Sequence, residues 1–260
     1  MIHFTIEIRF LNLFDWGDYM VRFSMLSDKG MRSNNEDSIG MYQKDDSYCF
    51  ILADGLGGHG KGELASQLAV QAVTNEFVSE DRENGFLDRG FLCAQEAVMN
   101  GQNKDRLASD MKTTLVVLHI GKTACQWGHI GDSRLYYFQN NRVVKRTLDH
   151  SVPQMLVAIG EIKEKQIRKH PDRNRILRVL GAETDELNYQ LSEEVLKEGR
   201  QAFLLCSDGF WELIEEKKME KTLRASASPE EWLSMMKMIV LKNGRYTDMD
   251  NYSAVAVWTY

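Results

Sequence analysis

Two β-rich runs, residues 113–120 and 123–130, are separated only by Gly121-Lys122, and so short a connection joins its flanking strands as an antiparallel hairpin. A second pair follows at once. Runs 134–138 and 142–145 meet across Asn140-Asn141, two residues that tolerate the positive φ of a tight turn. Between the strand-rich regions the apolar spacing changes to 3.6 residues. Ala65, Leu68, Ala69, Ala72, Val73 and Phe77 form one helical face, and Leu87, Phe91, Ala94 and Val98 another, both suited to lie on a sheet. Near the C-terminus, Ser228-Pro229-Glu230-Glu231 reads as an N-cap, a first-turn proline and a capping-box glutamate. The stripe that follows, Trp232, Met235, Met236 and Ile239, reads as core packing rather than as ligands. Antiparallel strands with long helices between them imply an α+β fold, a layered arrangement of sheets covered by helices.

A chain of 260 residues, 43% of them apolar, can fill one sizeable core. It has only three prolines, no low-complexity tract and no visible linker. Residues 20–260 are therefore expected to form a single domain. Residues 1–19 stand apart: Ile2, Phe4, Ile6, Ile8 and Phe10 alternate with polar or basic residues, as in a half-buried strand. They read either as an extra edge strand or as a start-site artefact, with Met20 the natural first residue. Segment 151–180 also differs from its surroundings, being helical in pattern and rich in Arg168, Lys169, His170, Arg173, Arg175 and Arg178. By itself it reads as an inserted flap or a solvated basic face.

A net charge of −6 and a pI near 5.6 argue against a nucleic-acid binder, which needs an excess of lysine and arginine. No apolar stretch approaches the ~18 residues of a membrane span, and the N-terminus lacks a signal-peptide pattern. Cys49, Cys93, Cys125 and Cys206 are widely spaced with no C-x-x-C pair, and are expected to be free, buried thiols. A reducing, cytoplasmic setting follows.

Five aspartates, Asp37, Asp54, Asp132, Asp208 and Asp250, stand where apolar runs break into turns. Two settings nearly repeat each other: Phe50-Ile-Leu-Ala-Asp54-Gly55 and Phe203-Leu-Leu-Cys-Ser-Asp208-Gly209. Each delivers a carboxylate to a glycine turn from a buried-strand pattern. Burying an unpaired carboxylate costs several kcal/mol, which a cation offsets. Oxygen donors without a cysteine or histidine cluster favour magnesium or manganese over zinc or copper. Gly55, Gly57 and Gly60 do have G-x-G-x-x-G spacing, but Asp54 would put its charge against a pyrophosphate and the nearby strands are antiparallel. Gly60-Lys61-Gly62 lacks the hydroxyl residue of a P-loop. The better reading is that these glycines bring the backbone close to a metal, with the Gly55 carbonyl as a ligand.

With these residues in place, the chain resembles the metal-dependent protein phosphatases (PPM) of the type 2C serine/threonine class, in their bacterial form. The resemblance covers about residues 21–258 and is carried by stretches in family order. They are Ser27-Asp-Lys-Gly-Met-Arg32-Ser-Asn-Asn-Glu36-Asp37, Asp54-Gly-Leu-Gly-Gly-His-Gly-Lys-Gly-Glu63, Gly131-Asp132-Ser-Arg134 and Leu148-Asp-His-Ser151. His170-Pro-Asp-Arg-Asn174, Arg178-Val-Leu-Gly181, Cys206-Ser-Asp208-Gly209 and Asp250-Asn251 complete the set. The resemblance implies a four-layer αββα sandwich in which two antiparallel β-sheets, flanked by helices, pack face to face and hold a two-metal centre at one edge. It implies hydrolysis of phosphoserine and phosphothreonine on proteins by a water that two Mn(II) or Mg(II) ions activate, with no covalent phosphoenzyme. Position by position, Asp37, Asp54, the Gly55 carbonyl, Asp208 and Asp250 match the groups around the two ions, and Glu36 one that acts through a water. Asp132 matches a ligand of a third, weaker ion, and Arg32 the arginine that holds the substrate phosphate.

Some positions depart from the family pattern. Leu56 stands where animal members carry a histidine proposed to protonate the leaving group, which leaves the general acid unassigned; His59 or a metal-bound water is a candidate for that role, and His59 equally for a structural one. Lys112 replaces a glycine before Thr113-Thr114, and Ser253 a threonine after Asp250-Asn251, without loss of a metal oxygen. The resemblance further implies phosphorylated proteins as partners, an opposing serine/threonine kinase, a monomer, and no binding to nucleic acid or membrane. From another class, the alternative is a catalytically silent relative that binds phosphoproteins or a regulatory partner. Retention of all five carboxylates weighs against it.

Overall fold

The computed structural model describes residues 21–57, 61–79, 85–104 and 106–260. The strand or start-site readings of residues 1–19, Met20, and the histidine at 59 lie outside them. From the N-terminus, β1 (Val21–Asp28), β2 (Asp37–Lys44) and β3 (Ser47–Leu56) precede two helices, α1 (Lys61–Val78) and α2 (Phe86–Lys104). Five strands follow: β4 (Lys112–Thr113), β5 (Leu115–Ile120), β6 (Ala124–Ile130), β7 (Arg134–Gln139) and β8 (Arg142–Arg146). Then come α3 (Val152–Ala158), β9 (Gln190–Leu191), β10 (Val195–Leu196), β11 (Gln201–Cys206), α4 (Asp208–Trp211), α5 (Glu216–Ala225), α6 (Pro229–Gly244) and β12 (Tyr252–Thr259).

Both hairpins expected from the short turns are present. Strands β5 and β6 pair from Leu115↔Ile130 to Ile120↔Cys125, closed by the Gly121 N–H donating to the Ala124 carbonyl at 2.8 Å. Strands β7 and β8 turn through Asn140 and Asn141 at φ 51° and 58°. The run 113–120, however, is not one strand. Thr113 pairs with Gly55 in β4, and Thr114 leaves the ladder because its N–H donates to Asp54 O and its hydroxyl accepts from Asp54 N, both at 2.9 Å.

The strands form two antiparallel sheets, ordered β1-β12-β11-β7-β8 and β10-β6-β5-β3-β2, with β4 added beside β3 and β9 beside β6. Side chains alternate across each strand, and here both faces are covered. Phe50 and Leu52 of β3, with Val116 and Leu118 of β5, meet Phe203 and Leu205 of β11 and Val255 and Val257 of β12 between the sheets. Cys49, Ile51 and Ala53 point the other way, against α1 and α2. On the opposite outer face Leu204, Cys206 and Trp258 pack under α4, α5 and α6. Burial on both faces explains why 50–53 and 203–206 read as unbroken apolar runs instead of alternating ones. The result is the four-layer αββα sandwich that the resemblance implied.

Helix α1 buries Ala65, Ala69, Val73 and Phe77, and α2 buries Leu87, Phe91, Ala94 and Val98. In α6 the Ser228 hydroxyl accepts from Glu231 N at 3.2 Å, but the Glu231 carboxylate accepts from Ala227 N, one residue before the cap. Trp232 and Met236 are core residues. All four cysteines are free; Cys49, Cys125 and Cys206 are buried and Cys93 is half-buried. Among the described residues no helix is long and apolar enough to cross a membrane.

Segment 151–180 is less helical than its pattern. Helix α3 stops where Gly160 takes φ 78°, a short 3-10 turn spans Glu164–Lys169, and the remainder is irregular. Its ends are tied down by the bridges Ser151↔Ile176 and Thr113↔Leu180. Nor is its charge simply solvated. Arg168 donates to the carbonyls of Trp211 and Ile214 and pairs with Glu216, Arg173 reaches Glu212 at 3.2 Å, and Arg175 faces Asp172 at 3.5 Å.

Candidate metal centre and phosphate site

The site lies at one end of the sandwich, where strands of both sheets stop. Asp37 opens β2 and Asp54 lies near the end of β3, and antiparallel register puts them opposite each other. Asp208 follows β11 and Asp250 precedes β12, the neighbouring strand. The Ser207 hydroxyl donates to Asp37 Oδ2 at 2.8 Å and so joins the two sheets. Asp132 follows β6 in the turn to β7.

The glycines that follow Asp54 and Asp208 have a steric reason. A Cβ on Gly55 would stand 2.1 Å from the Gly62 carbonyl oxygen at the start of α1, and one on Gly209 2.1 Å from the carbonyl oxygen of Asn251. Only glycine lets these backbones approach so closely.

Electrostatically the cluster is unbalanced. Burial, and then the charges of Asp208 and Asp250, push the Asp37 carboxyl up to about 7 against the lowering effect of its serine hydrogen bonds. Burial and the Asp250 charge push Asp208 up to about 6. Asp54 is raised well above the usual carboxylate range by burial and then by Asp37, and Asp132 by burial and then by Asp208. Desolvation and like charge act together here, as in sites built around a cation. Among the described residues, Asp37 Oδ1 and Asp132 Oδ1 are buried without a hydrogen-bond partner.

This donor set fits hard divalent ions in chemistry, though its side chains are engaged with one another. Among the described residues no three His, Cys, Asp or Glu side chains form a ready-made metal cage. The Asp54 and Asp208 carboxyls are in hydrogen-bonding contact, and Asp250 is taken by Arg32. Those contacts use oxygens that an ion would otherwise take.

Arg32 grips Asp250 with both arms of its fork, Nε to Oδ1 at 3.0 Å and Nη2 to Oδ2 at 2.8 Å, while Nη1 lies 3.9 Å from Asp248. The sequence-based reading gave this fork to a substrate phosphate; here a carboxylate occupies it. Glu36 stands at the rim, its carboxyl raised by burial and by Asp250, and its N–H donates to Asn251 Oδ1 at 2.8 Å. Leu56 pairs with Lys112 across β3 and β4. The serine at 253 donates to Ser27 Oγ at 2.9 Å, so the position keeps a working hydroxyl.

Several supporting residues gave no functional signal of their own in the sequence. Asn251 pins the 29–36 loop by donating to the carbonyls of Lys29 and Asn34 at 2.9 and 2.8 Å. The Thr114 hydroxyl, 2.8 Å from Ser133 Oγ, fixes the Asp54 backbone. Trp211 donates its indole N–H to the Asp132 carbonyl at 3.0 Å. Their value lies in partners distant along the chain, which residue type does not encode.

The family model described as protein phosphatase 2C matches residues 29–240. The chain is 30% identical over 246 residues to the serine/threonine phosphatase Stp of Listeria monocytogenes, covering 89% of this chain and 93% of that one. The crystal structure of the Mycobacterium tuberculosis serine/threonine phosphatase PstP is 29% identical with a TM-score of 0.79, covering 91% of this chain and 97% of that one. A structure of the PstP catalytic domain in complex with two manganese ions is 27% identical with a TM-score of 0.80, covering 93% and 99%. With its αββα layers, its carboxylate cluster at the shared sheet end and a family match over most of its length, the chain belongs to the protein phosphatase 2C family.

Proposed function

We propose that this chain is a metal-dependent serine/threonine protein phosphatase that hydrolyses phosphoserine and phosphothreonine on proteins with two Mn(II) or Mg(II) ions. The observation that carries the reading is the cluster of enclosed carboxyls at the sheet ends, raised by burial and then by one another's charge, with buried oxygens that have no partner among the described residues. A relative of the same fold was crystallised with two manganese ions. Asp37, Asp54, the Gly55 carbonyl, Asp208 and Asp250 would hold the two ions, Glu36 would act through a water, and Asp132 would serve a third, weaker site. When bound, the ions supply Lewis-acid charge and an activated water.

The chain's own part is positioning. Thr114 and Ser133 fix Asp54, and Ser207 fixes Asp37. The planar Arg32 fork, which matches two oxygens of Asp250 here, matches two oxygens of a phosphoryl group equally well once it is released to substrate. All five aspartates are retained, and no observation favours a silent phosphoprotein-binding module. We further propose that residues 20–260 act as one catalytic domain, with 151–180 a flap whose Arg173 meets Glu212 one helical turn beyond Asp208. Phosphorylated proteins are the substrates and a serine/threonine kinase the opposing enzyme. Acidic charge and four free thiols support a cytoplasmic setting, and sheets covered outside by the chain's own helices support a monomer.

The direct test is hydrolysis of a phosphothreonine peptide with manganese, with magnesium and with chelator. Metal-dependent release of phosphate is expected, and no turnover by folded, manganese-loaded protein would overturn the reading. Arg32→Ala is expected to lower kcat/KM on p-nitrophenyl phosphate about ten- to hundredfold, the worth of a charge-assisted hydrogen-bonded pair. An unchanged value would remove Arg32 from phosphate binding. Asp132→Ala is expected to raise the manganese concentration needed for half-maximal rate, on the order of tenfold. A superimposable metal titration would reject a working third site.

A further inference from the structure

The two oxygens of Asp37 have different surroundings. Oδ2 accepts the Ser207 hydroxyl at 2.8 Å and the nearby Ser253 hydroxyl also favours the carboxylate, whereas Oδ1 is buried with no hydrogen-bond partner among the described residues. Ser207 has no solvent exposure, and its oxygen in turn accepts from the Ser253 N–H at 2.9 Å. That second bond occupies a lone pair and leaves the hydroxyl proton to Asp37. Ser207 N also donates to the Ser253 carbonyl at 3.1 Å, so the serine is fastened to β12 on both sides. Asp37 belongs to the seven-stranded sheet and Ser207 follows β11 of the five-stranded one. The bond therefore crosses from one sheet to the other, immediately before Asp208.

We infer that Ser207 is a positioning residue for the metal centre: by holding Oδ2 it leaves Oδ1 of Asp37 as the oxygen that would serve the ions, and it ties together the two halves of the site. This rests on the reading of Asp37 as a metal ligand. A carboxylate free to rotate can offer either oxygen or both, and a hydrogen bond to one oxygen selects the geometry before the ion arrives. Partners of this kind are worth about ten- to hundredfold in metal affinity. Both halves of the site depend on the same serine, since it restrains Asp37 directly and Asp208 through the chain.

Manganese binding is measured by titration calorimetry on the full chain without substrate, beside the Tm of the chelated protein, for wild type, Ser207→Ala, Ser207→Cys and Asp37→Asn. Expected is a fall in affinity of about ten- to hundredfold in Ser207→Ala. Ser207→Cys keeps the size of the side chain but donates weakly, so it should also lose affinity, and it carries the test if the alanine variant does not fold. A lowered Tm with wild-type manganese affinity in either serine variant would show a merely structural role and overturn the inference. Wild-type affinity in Asp37→Asn would instead overturn the ligand reading itself.

Discussion

Asp208→Asn is expected to lose manganese-dependent hydrolysis of p-nitrophenyl phosphate by about a thousandfold or more, and with it the rise in Tm that manganese gives the wild type. The size follows from the charge stabilisation that bound metal supplies, several kcal/mol, at about 1.4 kcal/mol per factor of ten. The fold should tolerate the change. Asparagine has the size of aspartate and can keep the hydrogen-bonding contact with Asp54, and it removes a charge that burial and Asp250 already oppose. The metal-free variant should therefore melt no lower than metal-free wild type. Activity with and without chelator, beside thermal melts of both forms, separates loss of metal from loss of structure. A well-folded Asp208→Asn with wild-type turnover would sink the two-metal assignment.

Asp149→Ala should be the most damaging substitution for stability, costing about 3–5 kcal/mol. For a domain of this size that is a fall in Tm on the order of 10 °C. Asp149 holds Arg134 bidentately, Nε to Oδ1 at 2.7 Å and Nη2 to Oδ2 at 2.6 Å, with both side chains almost wholly enclosed. The guanidinium also donates to the Tyr136 hydroxyl at 3.0 Å and lies 3.4 Å over the Trp211 ring. Removing the carboxylate leaves a buried cation with only neutral partners at close range, Glu216 being 3.9 Å away. The loss should reach the metal centre, because Trp211 supports the Asp132 carbonyl and shares α4 with Asp208. Replacing both partners, as Arg134→Met with Asp149→Leu, should recover much of the stability, since the cost lies in the unpaired charge rather than in the absence of an ion pair. A Tm within about 2 °C of wild type for Asp149→Ala, roughly 1 kcal/mol at this size, would show that Arg134 does not depend on its partner.

Much of the architecture was legible because it depends on neighbours along the chain. Short connections dictated the hairpins, though the first takes three residues, 121–123, where two were expected, and the second the two at 140–141; helical spacing marked the buried faces of α1, α2 and α6, and unbroken apolar runs marked the strands buried on both sides. The strand-end aspartates were visible as charges that such strands could not bury alone. Local pattern misled where a distant partner decides. The 113–120 run splits at Thr114 because Asp54 claims its hydrogen bonds, and 151–180 carries less helix than its pattern because bridges to β4 and within the segment fix its ends.

The sequence by itself determined the main hairpins and the long helices, and that several carboxylates need a cation. Only the tertiary structure decided which partner each one meets. Arg32 meets Asp250 across 218 positions where β1 and β12 lie side by side, and Ser207 meets Asp37 across 170 where the two sheets stack. Periodicity reports whether a side chain is buried; the partner it meets there depends on the packing of elements far apart in the chain.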